Sequence, residues 1–230
     1  MTTLTENLQN VKEKMANACA RAGRSVDSVR LVAVSKTKPI ELIREAFNAG
    51  QTVFGENYVQ EAVDKISQIP SAEWHFVGTL QSNKAKQVVG SFKLVHSVDR
   101  LKLAFSLDAA ARDQGVIQPI LLQIHIGDEA TKHGFSFDEL PGVLTEIGAM
   151  KNVAVHGLMA LPPLEENEAS ARMNFSKLRE ALEKSLTILP VEKQRNFREL
   201  SMGTSSDYEA AILEGATLVR VGTDIFGARS

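Results

Sequence analysis

The stretch Leu31-Val32-Ala33-Val34-Ser35-Lys36, followed by Thr37-Lys38-Pro39, decides the fold class of this chain. Its short apolar run predicts a buried strand, and the proline after it opens a helical pattern. Alternation places Val32, Val34 and Lys36 on one face of that strand. An amine there is either desolvated and nucleophilic, or it leaves the strand end for solvent or a carboxylate. Taken alone, the segment favours the second interpretation, because lysine is usually exposed or paired.

The same unit of a strand followed by a helix recurs from end to end of the chain. Apolar runs predict strands at residues 30–35, 52–55, 74–78, 93–96, 120–126, 153–159, 198–202 and 218–221. Parallel strands need crossover connections, so eight such units in this length predict an α/β protein with a single (β/α)8 TIM barrel over residues 1–230. An open doubly wound sheet is the alternative, although no glycine-rich dinucleotide fingerprint follows any of the strands.

The composition limits the class of protein further. The chain has 230 residues, 43% of them hydrophobic, with a net charge of −2, so no basic patch indicates a nucleic acid or a membrane surface. Cys19 is the only cysteine, which makes an intrachain disulfide impossible, and the N-terminus lacks an apolar signal core. We therefore expect a soluble, cytoplasmic protein.

The loops after the seventh and eighth predicted strands are suited to an anion. Barrel active sites lie at the carboxyl ends of the strands, and these two loops often hold a phosphate. Here they contain Gly203-Thr204-Ser205-Ser206 and Gly222-Thr223, which are rich in hydroxyl and N–H donors. Each loop has a plainer interpretation as a turn, with Ser206 capping a helix through Ser206-x-x-Glu209. Their adjacency, opposite Lys36, favours a binding site.

Arg220 is the unexpected residue of the eighth strand, between Val219 and Val221. A permanently charged side chain near a barrel axis needs an acceptor, which is either a carboxylate such as Glu56 or a heteroaromatic ring nitrogen. A lysine, an anion site and a group facing a ring nitrogen are together what pyridoxal 5′-phosphate (PLP) requires.

The histidines do not indicate a metal centre. His75, His96, His125 and His156 fall in strands without metal-ligand spacing. Convergence of His125 and His133 with Asp128 is a minor alternative, so we predict no metal site. The sequence also lacks a Gly-x-Ser-x-Gly elbow and a Walker-type loop.

Seven ordered blocks make the chain resemble a known family, the pyridoxal phosphate homeostasis proteins, also called YggS/PROSC-like PLP-binding proteins. The blocks span nearly the whole sequence, at residues 31–39, 54–61, 74–84, 156–160, 200–203, 205–212 and 219–223. The resemblance implies a barrel like the N-terminal domain of alanine racemase. It also implies that Lys36 carries PLP as an aldimine.

The resemblance further implies roles for particular residues. It assigns the ring and phosphate to Asn57, Ser205, Arg220, Gly222 and Thr223, and the pocket wall to Ser201 and Met202. Arg220 would face the pyridine nitrogen, where a cation weakens the electron sink that carbanion chemistry needs. Three residues depart from the family pattern: His125 replaces a usual Asn, Thr204 a frequent Met, and Asp224 a frequent small residue.

The implied function is the binding, buffering or delivery of PLP, with effects on vitamin B6 and amino-acid/keto-acid balance, rather than an established catalysis. The implied partners are PLP and apo PLP enzymes as recipients, for a protein expected to be a monomer. A PLP-dependent racemase or decarboxylase is the alternative, yet a racemase of this type needs a second domain, for which no length follows the eighth strand. An aldolase that uses a lysine Schiff base without cofactor also stays open.

Overall fold

The strands close into a parallel barrel. The structure is a computed structural model that describes residues 2–127, 133–163, 165 and 167–228. Within these residues the strands are β1 (Arg30–Val34), β2 (Val53–Glu56), β3 (Glu73–Phe76), β4 (Leu94–Val98), β5 (Gln118–Ile124), β6 (Val153–Ala160), β7 (Glu199–Ser201) and β8 (Leu218–Val221). Each pairs in parallel with its neighbours, and β8 pairs with β1. The predicted barrel is confirmed, and the open sheet is excluded.

Helices cover the outside of this barrel. They are α1 (Leu4–Arg21), α2 (Ile40–Asn48), α3 (Val59–Gln68), α4 (Ala85–Val88), α5 (Leu101–Gln114), α6 (Leu140–Gly148), α7 (Glu168–Ser185), α8 (Val191–Gln194), α9 (Tyr208–Leu213) and α10 (Thr223–Phe226). The capping box at Thr3 and Glu6 forms at the start of α1, which packs against α9 and α10. None of the helices in the described residues is long and apolar enough to cross a membrane.

Strand alternation divides the buried apolar side chains between two layers. One layer fills the barrel interior and consists of Val32, Val53, Val77, Leu94, Leu121, Met159 and Leu218, with Val34 packed against it. The larger layer lies between the strands and the helices. Val32 is opposite Arg220 in the register of β1 and β8. The face of β1 that carries Val32, Val34 and Lys36 therefore points into the barrel, as its alternation predicts.

Candidate functional site

A cavity of about 540 Å³ opens at the carboxyl ends of the strands. Six of the eight residues proposed from the sequence line it together: Lys36, Asn57, Ser205, Arg220, Gly222 and Thr223. The other two, Ser201 and Met202, are fully buried and do not line it. Thr204 and Asp224, two of the departures from the family pattern, are part of its wall, whereas His125 is not.

Lys36 sits in a tight turn directly after β1. The turn is closed by a 3.1 Å hydrogen bond from Lys38 N–H to the carbonyl of Ser35. Thr37 has a φ of +61°, which is unusual for a β-branched residue. Its N–H donates to Oε1 of Glu61 across 2.7 Å, so a carboxylate from α3 holds the strained residue. The position of Lys36 therefore depends on α3.

A buried ion pair lies under this turn. Nζ of Lys65 donates to the Ser35 carbonyl and to Oε1 of Glu56, each across 2.8 Å, and also to Glu61. Ser35 Oγ donates to the same Glu56 oxygen across 2.6 Å. Burial raises the pKa of the Glu56 carboxyl, while Lys65 and Ser35 oppose that shift. Glu56 thus pairs with Lys65 and not with Arg220, which removes one of the two interpretations of Arg220.

Sequence reasoning missed Lys65. Lysines at helical spacing are usually on the solvent face, and nothing in the local pattern of α3 sets this one apart. The available signal was Glu61 four residues before it, a spacing that pairs charges on a helix. That spacing indicates an ion pair but not its burial.

Lys38 has a different environment from Lys36, although both line the cavity. Its Nζ donates to the carbonyls of Gly227 and Ala228, across 3.2 and 2.9 Å. These carbonyls follow α10, so Lys38 fastens the end of that helix beside the loop of Gly222 and Thr223. The Lys38 amine therefore stabilises the backbone at the end of α10.

The loop between β7 and α9 presents donors to the cavity. The N–H and hydroxyl of Thr204 donate to Oδ1 of Asp207, across 2.6 and 3.0 Å. The predicted cap by Ser206 is wrong, since α9 begins at Tyr208 and Asp207 closes the loop instead. The backbone N–H groups of Ser205, Ser206 and Thr223 donate to no acceptor among the residues that the structure describes. They are suited to an anion.

Two backbone approaches shape this side of the cavity. The N–H of Gly222 donates to Ser205 Oγ across 3.3 Å, which joins the two donor loops. A Cβ on Gly222 would lie 3.1 Å from the carbonyl oxygen of Val34, so a side chain there would crowd β1. Gly78 permits a second close approach, because a Cβ there would lie 2.4 Å from the carbonyl oxygen of Asn57, a residue of the cavity wall. Asn57 Oδ1 is buried and has no partner among the described residues.

Arg220 is buried without a carboxylate beside it. Its Nη1 donates to Ser201 Oγ, and its Nη2 donates to the Ala160 carbonyl across 2.8 Å. In the described part of the chain no acidic side chain forms an ion pair with it. Burial lowers the pKa of its guanidinium to about 10, and the more distant Asp207 opposes this shift. Other N–H donors of this guanidinium stay available for a ligand in the cavity.

The described residues contain no group of three or more His, Cys, Asp or Glu side chains arranged to hold a metal ion. His133 lies 3.4 Å from Oδ2 of Asp99, a carboxylate that Arg100 also contacts. Asp128, named above as a possible third ligand, lies outside the described residues.

Comparison with known proteins first defines the class of protein to which this barrel belongs. Residues 6–230 match the family described as alanine racemase, N-terminal domain. An alanine racemase of Clostridium difficile shares the fold, with a TM-score of 0.71 at 13% identity over 98% of this chain and 56% of its own. The class is thus the alanine-racemase-type barrel.

More similar relatives define the family. The pyridoxal phosphate homeostasis protein of Aquifex aeolicus is 42% identical over 97% of both chains. PipY of Synechococcus elongatus, solved with PLP bound, is 37% identical with a TM-score of 0.84, over 98% of this chain and 100% of its own. This chain belongs to the pyridoxal phosphate homeostasis protein family.

Proposed function

We propose that this protein binds PLP covalently through Lys36 and serves to buffer and deliver it. One observation carries the proposal. Lys36 and the buried Arg220 guanidinium, which forms no ion pair within the described residues, line a single cavity. Loop N–H groups that have no acceptor among the described residues lie in the same cavity wall. PLP has an aldehyde, a ring nitrogen and a phosphate, which match these three features in chemistry. The family membership supports the same ligand.

The contacts suggest a role for each residue. Lys36 would hold PLP through a C=N bond between its amine and the cofactor aldehyde, with the release of one water. Ser205 and Thr223 offer hydroxyl and N–H donors to the phosphate dianion, and such charge-assisted hydrogen bonds are strong. Gly222 joins these two residues, since its N–H donates to Ser205 Oγ. Asn57 adds an amide from the loop after β2, and its buried Oδ1 has no donor among the described residues.

The proposed position of Arg220 favours PLP binding over PLP-dependent catalysis. When bound, PLP supplies an electron sink whose strength depends on protonation of its ring nitrogen. A fixed guanidinium facing that nitrogen disfavours the protonated ring by like-charge repulsion. Arg220 therefore keeps the sink weak, which suits a monomeric carrier that donates PLP to apo PLP enzymes and so affects amino-acid/keto-acid balance.

Absorption spectroscopy tests the proposal. We expect the purified protein mixed with PLP to show the visible band of a lysine imine, and borohydride to remove this band and fix the cofactor to the chain. The holo-protein should then reactivate an apo PLP enzyme, and sedimentation should give the mass of one chain. No imine band with PLP would refute PLP binding through a lysine. A band without any reactivation would leave binding but refute delivery.

A further inference from the structure

A chain of hydrogen bonds crosses the barrel interior from Arg220 to the opposite end. Arg220 donates to Ser201 Oγ, which lies 2.8 Å from Nδ1 of His96. Nε2 of His96 lies 2.9 Å from Nδ1 of His75, whose Nε2 lies 2.8 Å from Oε1 of Glu73. Ser201, His96 and His75 have no exposed surface. We name these five residues the interior relay.

The relay connects two ends of the molecule. Arg220 lines the cavity at the carboxyl end of the strands, whereas Glu73 is the first residue of β3 and is partly exposed at the amino end. Arg30, at the start of β1, pairs with Glu73 and with Glu199, each across 3.1 Å. The far end of the relay is therefore anchored in a surface ion-pair network.

With both rings neutral, the Glu73 carboxylate fixes the direction of every bond. Because a carboxylate only accepts, His75 carries its proton on Nε2 and accepts at Nδ1. His96 therefore carries its proton on Nε2, donates to His75 and accepts at Nδ1 from the Ser201 hydroxyl. The Arg220 guanidinium, which only donates, then bonds to an acceptor site of Ser201 Oγ. One proton on either Nδ1 would break the sequence.

The surrounding charges agree with two neutral rings. Burial lowers the pKa of His96 well below its ordinary value, and His75, Arg220 and Arg30 lower it further. Burial also lowers the pKa of His75, while Glu73 and Glu199 oppose that shift and Arg30 adds to it.

We propose that His96 and His75 are positioning residues held in their Nε2–H tautomers. Because the Ser201 hydroxyl then donates its proton to His96, its oxygen can only accept from Arg220, and this bond fixes the Arg220 guanidinium in the cavity. The proposal rests on the proposed function in one respect, the assignment of Arg220 to the ring nitrogen of PLP. Without the relay, the Ser201 hydroxyl proton could point towards Arg220, and the guanidinium would lose one of its two anchors.

Nitrogen-15 NMR of the histidine rings tests the relay in the apo-protein. Between pH 6.5 and 8.5 we expect His75 and His96 to give the Nε2–H tautomer pattern without titrating, with slowly exchanging Nε2 protons. In Ser201→Ala, His96 should keep the Nε2–H tautomer, because His75 still accepts from it, while its Nδ1 resonance should shift because it loses the Ser201 donor. An Nδ1–H tautomer or a titration of either ring in the wild-type protein would overturn the proposal. The measurement on the wild-type protein needs neither PLP nor a stable variant.

Titration with PLP tests the consequence for Arg220. We expect Ser201→Ala to bind PLP at least five-fold more weakly and to move the pH midpoint of the imine absorption band by at least 0.3 pH unit. The matched control is His156→Gln, a partly buried histidine outside the relay, which should stay within two-fold of the wild type. Unchanged affinity and midpoint in Ser201→Ala would refute the positioning role. A wild-type protein that binds no PLP would refute the proposed function, while the NMR spectrum would still judge the relay.

Discussion

Nζ of Lys65 lies 2.8 Å from Oε1 of Glu56, and both side chains are almost completely buried below the turn that carries Lys36. The same ammonium group donates to the Ser35 carbonyl, which belongs to that turn. A buried pair of this kind contributes little net stability, but removing one partner leaves an uncompensated charge. The pair therefore links the folding of α3 to the geometry of the cavity.

Lys65→Met tests this link. We expect the free energy of unfolding to fall by about 3–5 kcal/mol, because Glu56 keeps a buried charge without its partner. Covalent capture of PLP at Lys36 should also become slower, since the turn loses its anchor. Urea unfolding gives the first quantity, and the rate of appearance of the imine band gives the second.

The double variant Lys65→Met/Glu56→Gln is the control, and it should recover at least about 1 kcal/mol of the loss. The pH dependence has a definite sign. Burial raises the pKa of Glu56 in the folded state, so protonation favours folding, and the deficit of Lys65→Met should shrink as the pH falls from 8 to 5.5. A deficit that does not depend on pH would show that lost packing, and not the carboxylate charge, causes it.

Lys36→Ala should abolish covalent attachment of PLP while the protein stays folded. Lys38→Ala should keep the attachment at Lys36, because the Lys38 amine is bound to the carbonyls of Gly227 and Ala228. Borohydride reduction followed by peptide mapping checks both variants. A pyridoxyl group found mainly on Lys38 or Lys84 would contradict the assignment.

Ser205→Ala combined with Thr223→Ala should weaken PLP more than pyridoxal. Hydrogen bonds to a charged group are worth about 1.5–3 kcal/mol each, so the affinity for PLP should drop tens-fold or more. Pyridoxal lacks the phosphate and should lose little. Fluorescence titration with both ligands measures the two constants, and equal weakening would mean that the phosphate binds elsewhere.

The holo-protein should show no appreciable racemisation, transamination or decarboxylation of common amino acids. If Arg220 faces the ring nitrogen, as proposed above, its positive charge keeps the electron sink weak. Chiral chromatography and product assays over single amino acids check this expectation. Robust turnover of one amino acid that disappears in Lys36→Ala would identify an enzyme instead of a carrier.

The barrel was predictable because its signal is repeated. Eight apolar runs separated by helical stripes give parallel pairing and closure without any knowledge of contacts. The cavity residues were accessible for the same reason: Lys36, Arg220 and Gly222 each follow or end a strand. Position along the chain was sufficient to bring them together.

The pairing of buried polar groups was not predictable in this way. The sequence offered Arg220 as the cation for Glu56, and only the packing of α3 against β2 shows that the partner is Lys65. The interior relay is also invisible in the sequence, since His75 and His96 look like any strand histidines until β3 and β4 are adjacent. The prediction of Ser206 as a cap was wrong because the N–H groups of Asp207 and Tyr208 donate to the Thr204 carbonyl, and this turn delays the start of α9 to Tyr208.

The buried histidines should make the folded protein less stable in acid. Burial lowers the pKa values of His75, His96 and His156 in the folded protein, whereas in the unfolded chain they titrate near about 6.5. The unfolded state therefore binds more protons below that pH. The contribution of the neutral rings to stability is complete above that pH and is lost as the pH falls.

Each ring contributes up to about 1.4 kcal/mol per pH unit. Burial raises the pKa of Glu56, so protonation of this carboxyl acts in the opposite direction and offsets part of the loss. We expect urea unfolding to show a lower free energy at pH 5.5 than at pH 7.5, and a smaller decrease in His156→Gln, which removes one of the three groups. A decrease that is equally large in His156→Gln would mean that His156 takes up no more protons in the unfolded chain than in the folded protein.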